Sequence, residues 1–139
     1  MAEADLTEKL RSVPLFQGLG RKELGGLAER SRVVEHDAGS DIVEEGGGSV
    51  GFHLILDGTA LVTHGDEVRR TLGPGDYFGE ISLIDGKPRS ATVRAETSLR
   101  TLSLTAWQFG PLLEQHPTMA HSILLGLCKL IREAEVVTG

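Results

Sequence analysis

Apolar side chains recur at three- and four-residue steps near the start of the chain: Leu6, Leu10 and Val13, then Leu24 and Leu27. That spacing lines one face of a helix, so residues 6–30 are expected to be helical. Pro14 and the stretch Gly18–Gly20 divide the region into two short helices. Gly25 and Gly26 weaken the second of them, because glycine loses the most backbone entropy on entering a helix.

From residue 31 to residue 104 the pattern changes to short apolar runs separated by turn residues. Ser31–Glu35 is a first expected strand, Ala38-Gly39 a turn, Ile42–Glu44 a short strand and Gly46–Ser49 a loop. Gly51–Leu56 and Thr59–Thr63 flank Asp57-Gly58, the dipeptide most typical of a two-residue hairpin. Gly65-Asp66 turns into Glu67–Leu72, and Gly73–Asp76 is a further turn. Ala91–Ala95 and Leu99–Leu104 close the series, joined around Glu96-Thr97. Short strands at this spacing predict a β-sandwich or barrel.

Helical spacing then returns. Thr105 followed three residues later by Gln108 reads as a capping box. The helix it opens is expected to run to about Gln115 and to break at His116-Pro117, since a residue before proline avoids the α region. Pro117 suits the first turn of a final helix, in which Ile123, Leu124, Leu127, Leu130 and Ile131 form an apolar stripe. That stripe would pack back on the roll as a lid or form a dimer seam. Trp107 and Phe109 are expected to anchor the preceding helix to the sheet. The expected organisation is one domain: an N-terminal helical segment (1–30), a β-roll (31–104) and C-terminal hinge and lid helices (105–139).

Composition narrows the function classes. The chain has 139 residues with 40% hydrophobic and 24% charged content, as in a globular domain able to bury its own core. A net charge of −6 argues against a nucleic-acid surface, which needs lysine and arginine to neutralise phosphates. The single cysteine, Cys128, rules out an internal disulfide, fits a reducing compartment, and is expected in the core or an interface. The acidic start, Met1–Asp5, is no signal peptide, and no run of about 18 apolar residues spans a membrane. The expected location is the cytoplasm. His36, His53, His64, His116 and His121 show no metal-ligand spacing, and no nucleophile motif is present. Neither a metal nor catalysis is expected.

The informative stretch is residues 78–93, FGEISLIDGKPRSATV. Gly79 admits close approach to the backbone. The free N–H groups opening a short turn over Glu80–Ile84 favour an anion. Arg89 is a permanently charged fork suited to phosphate oxygens, and the Ser90 hydroxyl and Ala91 N–H add donors. Glu80 would repel a bare anion. It fits if the ligand carries a hydroxyl close to its phosphate, as the ribose 2′-hydroxyl of a nucleotide monophosphate is.

These residues resemble the phosphate-binding cassette of cyclic nucleotide-binding domains: Phe-Gly-Glu, an aliphatic, a small residue and Leu, then a loop to Pro-Arg, a small residue, Ala, Thr or Ser, and Val. Every position matches. The lead-in Leu72–Tyr77, the stretch Phe52–Gly58 and the order of elements from about Val13 to Glu133 are similar to the family as well. The resemblance implies a mainly β double-stranded β-helix (jelly-roll) with N-terminal helices and two C-terminal helices. It implies a regulatory sensor that binds a cyclic nucleotide, cAMP ahead of cGMP, and is not an enzyme. Glu80 with the Gly79 backbone would hold the ribose 2′-hydroxyl, and Arg89 the cyclic phosphate. Ile81 lies within the same turn, and the backbone of Ser82 and Ala91 and the Ser90 hydroxyl would complete the cradle. Leu72 and Val62 would flank the base, and Leu130 or Arg132 of the last helix would close over it, moving at the His116-Pro117 hinge. The alternatives are a non-binding protein–protein interaction module of the same fold and a cupin-like metalloenzyme. No helix-turn-helix follows the last helix, so the expected partners are the cyclic nucleotide and an effector protein or a second copy.

Overall fold

The computed structural model describes residues 3–43, 51–79, 83–84, 87 and 91–138. Two compact units make up the chain, residues 1–30 with 110–139 and residues 31–109.

In the helical unit, α1 (Glu3–Arg11), a 3-10 turn (Pro14–Phe16) and α2 (Arg21–Arg30) come from the N-terminal segment. They match the expected division at Pro14 and Gly18–Gly20. Leu10, Val13, Leu24 and Leu27 are all fully buried, as their spacing predicts. The helix α3 (Ala106–Gln115) leads into this unit and α4 (Pro117–Thr138) completes it. The cap of α3 is the expected reciprocal pair. The Thr105 N–H donates to Gln108 Oε1 at 3.1 Å, and the Gln108 N–H points at Thr105 Oγ1 at 3.4 Å. His116 stands between the helices and accepts from the Met119 N–H at 2.9 Å.

The last helix presents a different face from the one expected. Met119 and Ile123 are buried, and a Cβ on Gly126 would stand 3.2 Å from the Leu15 carbonyl oxygen. Those positions define the side pressed on the N-terminal turn. At 100° per residue the opposite side carries Leu124, Leu125, Cys128 and Ile131, and all four are exposed. Cys128 is therefore not a core residue, and the expected stripe is split between two faces. At the start of α3, Phe109 is buried but Trp107 is 75% exposed, so Trp107 does not fill the packing role expected of both.

The roll unit is two antiparallel four-stranded sheets, with flanking helices as the jelly-roll expectation requires. Its strands are β1 (Arg32–His36), β2 (Asp41–Val43), β3 (Gly51–Asp57), β4 (Ala60–His64), β5 (Glu67–Leu72), β6 (Tyr77–Phe78), β7 (Thr92–Ala95) and β8 (Leu99–Thr105). One sheet has the order β1-β8-β3-β6 and the other β2-β7-β4-β5. β6 was not foreseen, because two residues are too few to show alternation.

The hairpin expected at Asp57-Gly58 does not form. β3 pairs with β6 and β8, whereas β4 pairs with β5 and β7, so the dipeptide carries the chain from one sheet to the other. The second crossover, Glu96–Ser98, lies beside it. Thr59 joins the two: its carbonyl accepts from the Glu96 N–H at 2.9 Å, its N–H donates to Thr97 Oγ1 at 3.0 Å, and its hydroxyl donates to Glu96 Oε1 at 3.0 Å. Gly58 has φ +92°, and a Cβ there would stand 2.2 Å from the Ser98 carbonyl oxygen. The tight hairpin of the roll is β4–β5, in which His64 faces Glu67 across Gly65-Asp66.

Between the sheets lies one apolar cluster: Ile55, Ala60, Leu72, Phe78, Val93, Ala95 and Leu99, with Ile42 and Val62 packed against it. Burial of these side chains is the main stabilising term of the unit, at roughly 1.5–3 kcal/mol for each large one.

Candidate functional site

The two ends of the expected cassette meet at that cluster. Phe78 ends β6 in one sheet and Val93 sits in β7 of the other, and both are buried in the same core. Residues 79–91 thus connect one sheet to the other. The turn before β6 is docked on β3: the Ile55 N–H donates to the Asp76 carbonyl and the Gly75 N–H to the Ile55 carbonyl, each at 2.9 Å. The Asp76 carboxylate accepts from the Gly73 N–H at 2.8 Å, closing the turn.

Gly79 leaves β6 with φ +85°, a conformation a side chain would strain. Its carbonyl accepts from the Leu83 N–H at 3.0 Å. That i-to-i+4 bond and the helical Leu83–Ile84 are the described part of the expected short turn. Leu83 is buried at 2% exposure and Ile84 is exposed, so the turn is anchored on one side. Glu80, Ile81, Ser82, Arg89 and Ser90 lie outside the described residues.

The other expected contacts divide between the units. Ala91 is half-buried immediately before β7. Val62 faces Val93 across the ladder, and Leu72 faces Ala60. Leu72 and Val62 therefore share the inner face of the second sheet with Val93. Arg132 is exposed on α4 and belongs to the helical unit. Leu130 is in the same helix.

Sequence reasoning missed two features of the inner surface. The first is a polar quartet beneath Phe78. Thr101, with 0% exposure, has His36 Nε2 at 3.1 Å and His53 Nδ1 at 3.4 Å from its hydroxyl oxygen. Ser103 Oγ lies 2.9 Å from His53 Nδ1, and the His53 ring stacks on Phe78 with centroids 5.0 Å apart. Burial pushes the His36 imidazole below its ordinary value, because the cation is poorly solvated there. The alternation of His53, Ile55 and of Thr101, Ser103 along their strands would have put these side chains on one face. The second is Arg70, the cross-strand partner of Val62. Counting back by two from buried Leu72 would have found it. Elsewhere on this sheet Arg94 Nε donates to Asp41 Oδ1 at 2.8 Å, and that bond holds the guanidinium pKa above its ordinary value. Among the described residues no group of three or more His, Cys, Asp or Glu could hold a metal ion. Among the described residues no helix is long and apolar enough to cross a membrane.

Two antiparallel four-stranded sheets enclosing one core define a jelly-roll. The sequence comparison gives the particular family: residues 33–116 match the cyclic nucleotide-binding domain, and the chain belongs to that family. A cAMP-dependent protein kinase regulatory subunit of Yarrowia lipolytica is 41% identical over 99 residues, covering 68% of this chain and 26% of that protein. Among solved structures, the N-terminal domain of a transcriptional regulator from Streptomyces coelicolor A3(2) superposes with a TM-score of 0.83 at 25% identity, covering 91% of this chain and 94% of the other. The regulatory domain of Toxoplasma gondii PKA, crystallised with cAMP, gives 0.75 at 27% identity over 94% of this chain and 50% of the other. The chain spans about a quarter of the length of the kinase regulatory subunit it matches.

Proposed function

We propose that this cyclic nucleotide-binding domain is a cAMP sensor, not an enzyme, which binds its ligand at residues 78–93 and passes the signal to an effector protein or a second copy. The observation that carries the reading is the cassette sequence itself, uninterrupted from Phe78 to Val93, with its two ends converging on one core cluster. The named relatives, a cAMP-dependent kinase subunit and a domain crystallised with cAMP, support that nucleotide over cGMP as the first to test. In this reading Arg89 pairs with the cyclic phosphate, and Glu80 with the Gly79 backbone holds the ribose 2′-hydroxyl. Ile81, Ser82, Ser90 and Ala91 complete the cradle, and Leu72 and Val62 flank the base. The site of action is the cytoplasm.

Calorimetric titration of the 139-residue chain with cAMP, repeated on Arg89→Ala, tests it. A hydrogen bond to a charged group contributes about 1.5–3 kcal/mol, so affinity should fall by roughly 10- to 150-fold. Unaltered affinity in Arg89→Ala, or no binding by the parent chain, overturns the reading.

A further inference from the structure

From a row of charges across β1, β8 and β3 we infer that a pocket on the outer face of the first sheet binds a small zwitterion, a basic α-amino acid. The inference does not rest on the cyclic nucleotide reading. Arg100 follows Leu99 in β8, and Leu99 belongs to the inter-sheet core. Alternation along the strand therefore turns Arg100 to the outer face. Phe78, where the cassette begins, lies in that core, on the other side of the sheet. Glu35 is the cross-strand partner of Arg100 on β1, and Asp57 is its partner on β3. Asp57 reaches that position through a bulge, since Ile55 pairs with the next residue of β8, Thr101. Directly paired side chains stand about 4.5–5.5 Å apart on one face. A guanidinium is thus flanked by a carboxylate on each side.

Such a row is expected to close into ion pairs, and it does not. Among the described residues neither carboxylate is paired with Arg100. The Arg100 Nε is buried and has no acceptor among them. Glu35, Asp57 and Arg100 instead line, with Ser98 and Leu99, a pocket of about 180 Å³. Asp57 and Ser98 belong to the two crossovers that Thr59 ties together, so this part of the wall is held in place before any ligand arrives.

Size and charge select the ligand. The pocket is well below the roughly 300–1,000 Å³ that drug-sized ligands occupy, so its ligand is smaller than a nucleotide. Two carboxylates and one guanidinium leave the lining with one net negative charge. A free phosphate or a plain carboxylate would face both acids, and a diamine would leave the guanidinium without an acceptor. A basic α-amino acid answers all three groups. Its carboxylate matches the planar fork of Arg100, the ammonium beside it meets one acid, and its side-chain cation neutralises the other.

The experiment titrates the 139-residue chain with L-lysine, with L-norleucine, which lacks the side-chain ammonium, and with cadaverine, which lacks the carboxylate. Binding is followed by NMR on the Arg100 Nε–H and on the backbone amides of Ser98 and Leu99. L-lysine should shift all three signals and saturate. L-norleucine should bind roughly 1.5- to 5-fold more weakly, the effect of one solvent-exposed ion pair, and cadaverine should not move the Nε–H. Glu35→Gln and Asp57→Asn, isosteric changes at exposed positions, should each weaken L-lysine by a similar factor. Arg100→Met should weaken it by roughly 10- to 150-fold. No saturable shift with L-lysine overturns the assignment. Cadaverine binding as tightly as L-lysine overturns it too, showing a bare acidic patch. So does an L-lysine affinity that is the same in Glu35→Gln, Asp57→Asn and the parent, whatever the behaviour of Arg100→Met.

Discussion

Replacing Gly58 by alanine isolates the cost of the joint between the two sheets. The backbone there has φ +92°, where an L side chain alone costs about 1–3 kcal/mol. The new Cβ would also meet the Ser98 carbonyl oxygen at 2.2 Å, Thr97 Oγ1 at 3.0 Å and the Leu99 Cα at 3.1 Å. The first contact is more than an ångström short of ordinary packing, and the obstacle is backbone, which cannot rotate aside. Glu96–Ser98 must therefore retreat, stretching the hydrogen bonds of Thr59 to Glu96 and Thr97, each contributing about 0.5–1.5 kcal/mol. The sum is a loss of about 3–5 kcal/mol. For a domain of this size each kcal/mol lowers the melting temperature by about 3 °C, so Gly58→Ala should melt roughly 10–15 °C below the parent. Gly75→Ala is the control, because Gly75 has φ +91° and nothing within 4 Å of its Cβ position. It carries the conformational cost without the collision and should fall by only about 3–9 °C. Thermal melts of the two variants side by side decide the matter. If they coincide within about 3 °C, the crossovers yield freely and the argument for a rigid joint is wrong.

Stability should also depend on pH through His36, whose pKa is lowered from its ordinary 6.5 by burial. The unfolded chain then binds more protons than the native one between the two values, so stability is intact above about pH 6.5 and falls as pH drops through the native value. Urea midpoints between pH 7.5 and 5 should show this fall, with a smaller slope in His36→Asn; identical slopes exclude His36 as its source. Thr105→Ala removes the reciprocal cap of α3 and should cost about 1 kcal/mol, or about 3 °C in the melt. No change there would mean that α3 is held by its packing alone.

Local order along this chain was legible because short-range physics sets it. Helical spacing marked Leu10, Val13, Leu24 and Leu27, the Thr105–Gln108 cap marked the start of α3, and turn residues separated most of the strands. The family's cassette pattern was visible for a related reason, since it is written in one continuous stretch, residues 78–93. Pairing was not legible. A glycine at positive φ serves a hairpin or a sheet crossover equally well, and only the approach of Ser98, forty residues on, makes Asp57-Gly58 a crossover. The inward face of the last helix was likewise set by its contact with Leu15, more than a hundred residues away, and not by its own apolar content. The same holds in β5: Arg70 is one polar residue among several in its strand until the register places it beside Val62. The sequence by itself determined which segments become helix or strand, because those depend on near neighbours. Which strands share a sheet, which helix face is covered and which side chains face the inter-sheet core were decided by tertiary structure alone, because they depend on contacts between residues far apart along the chain.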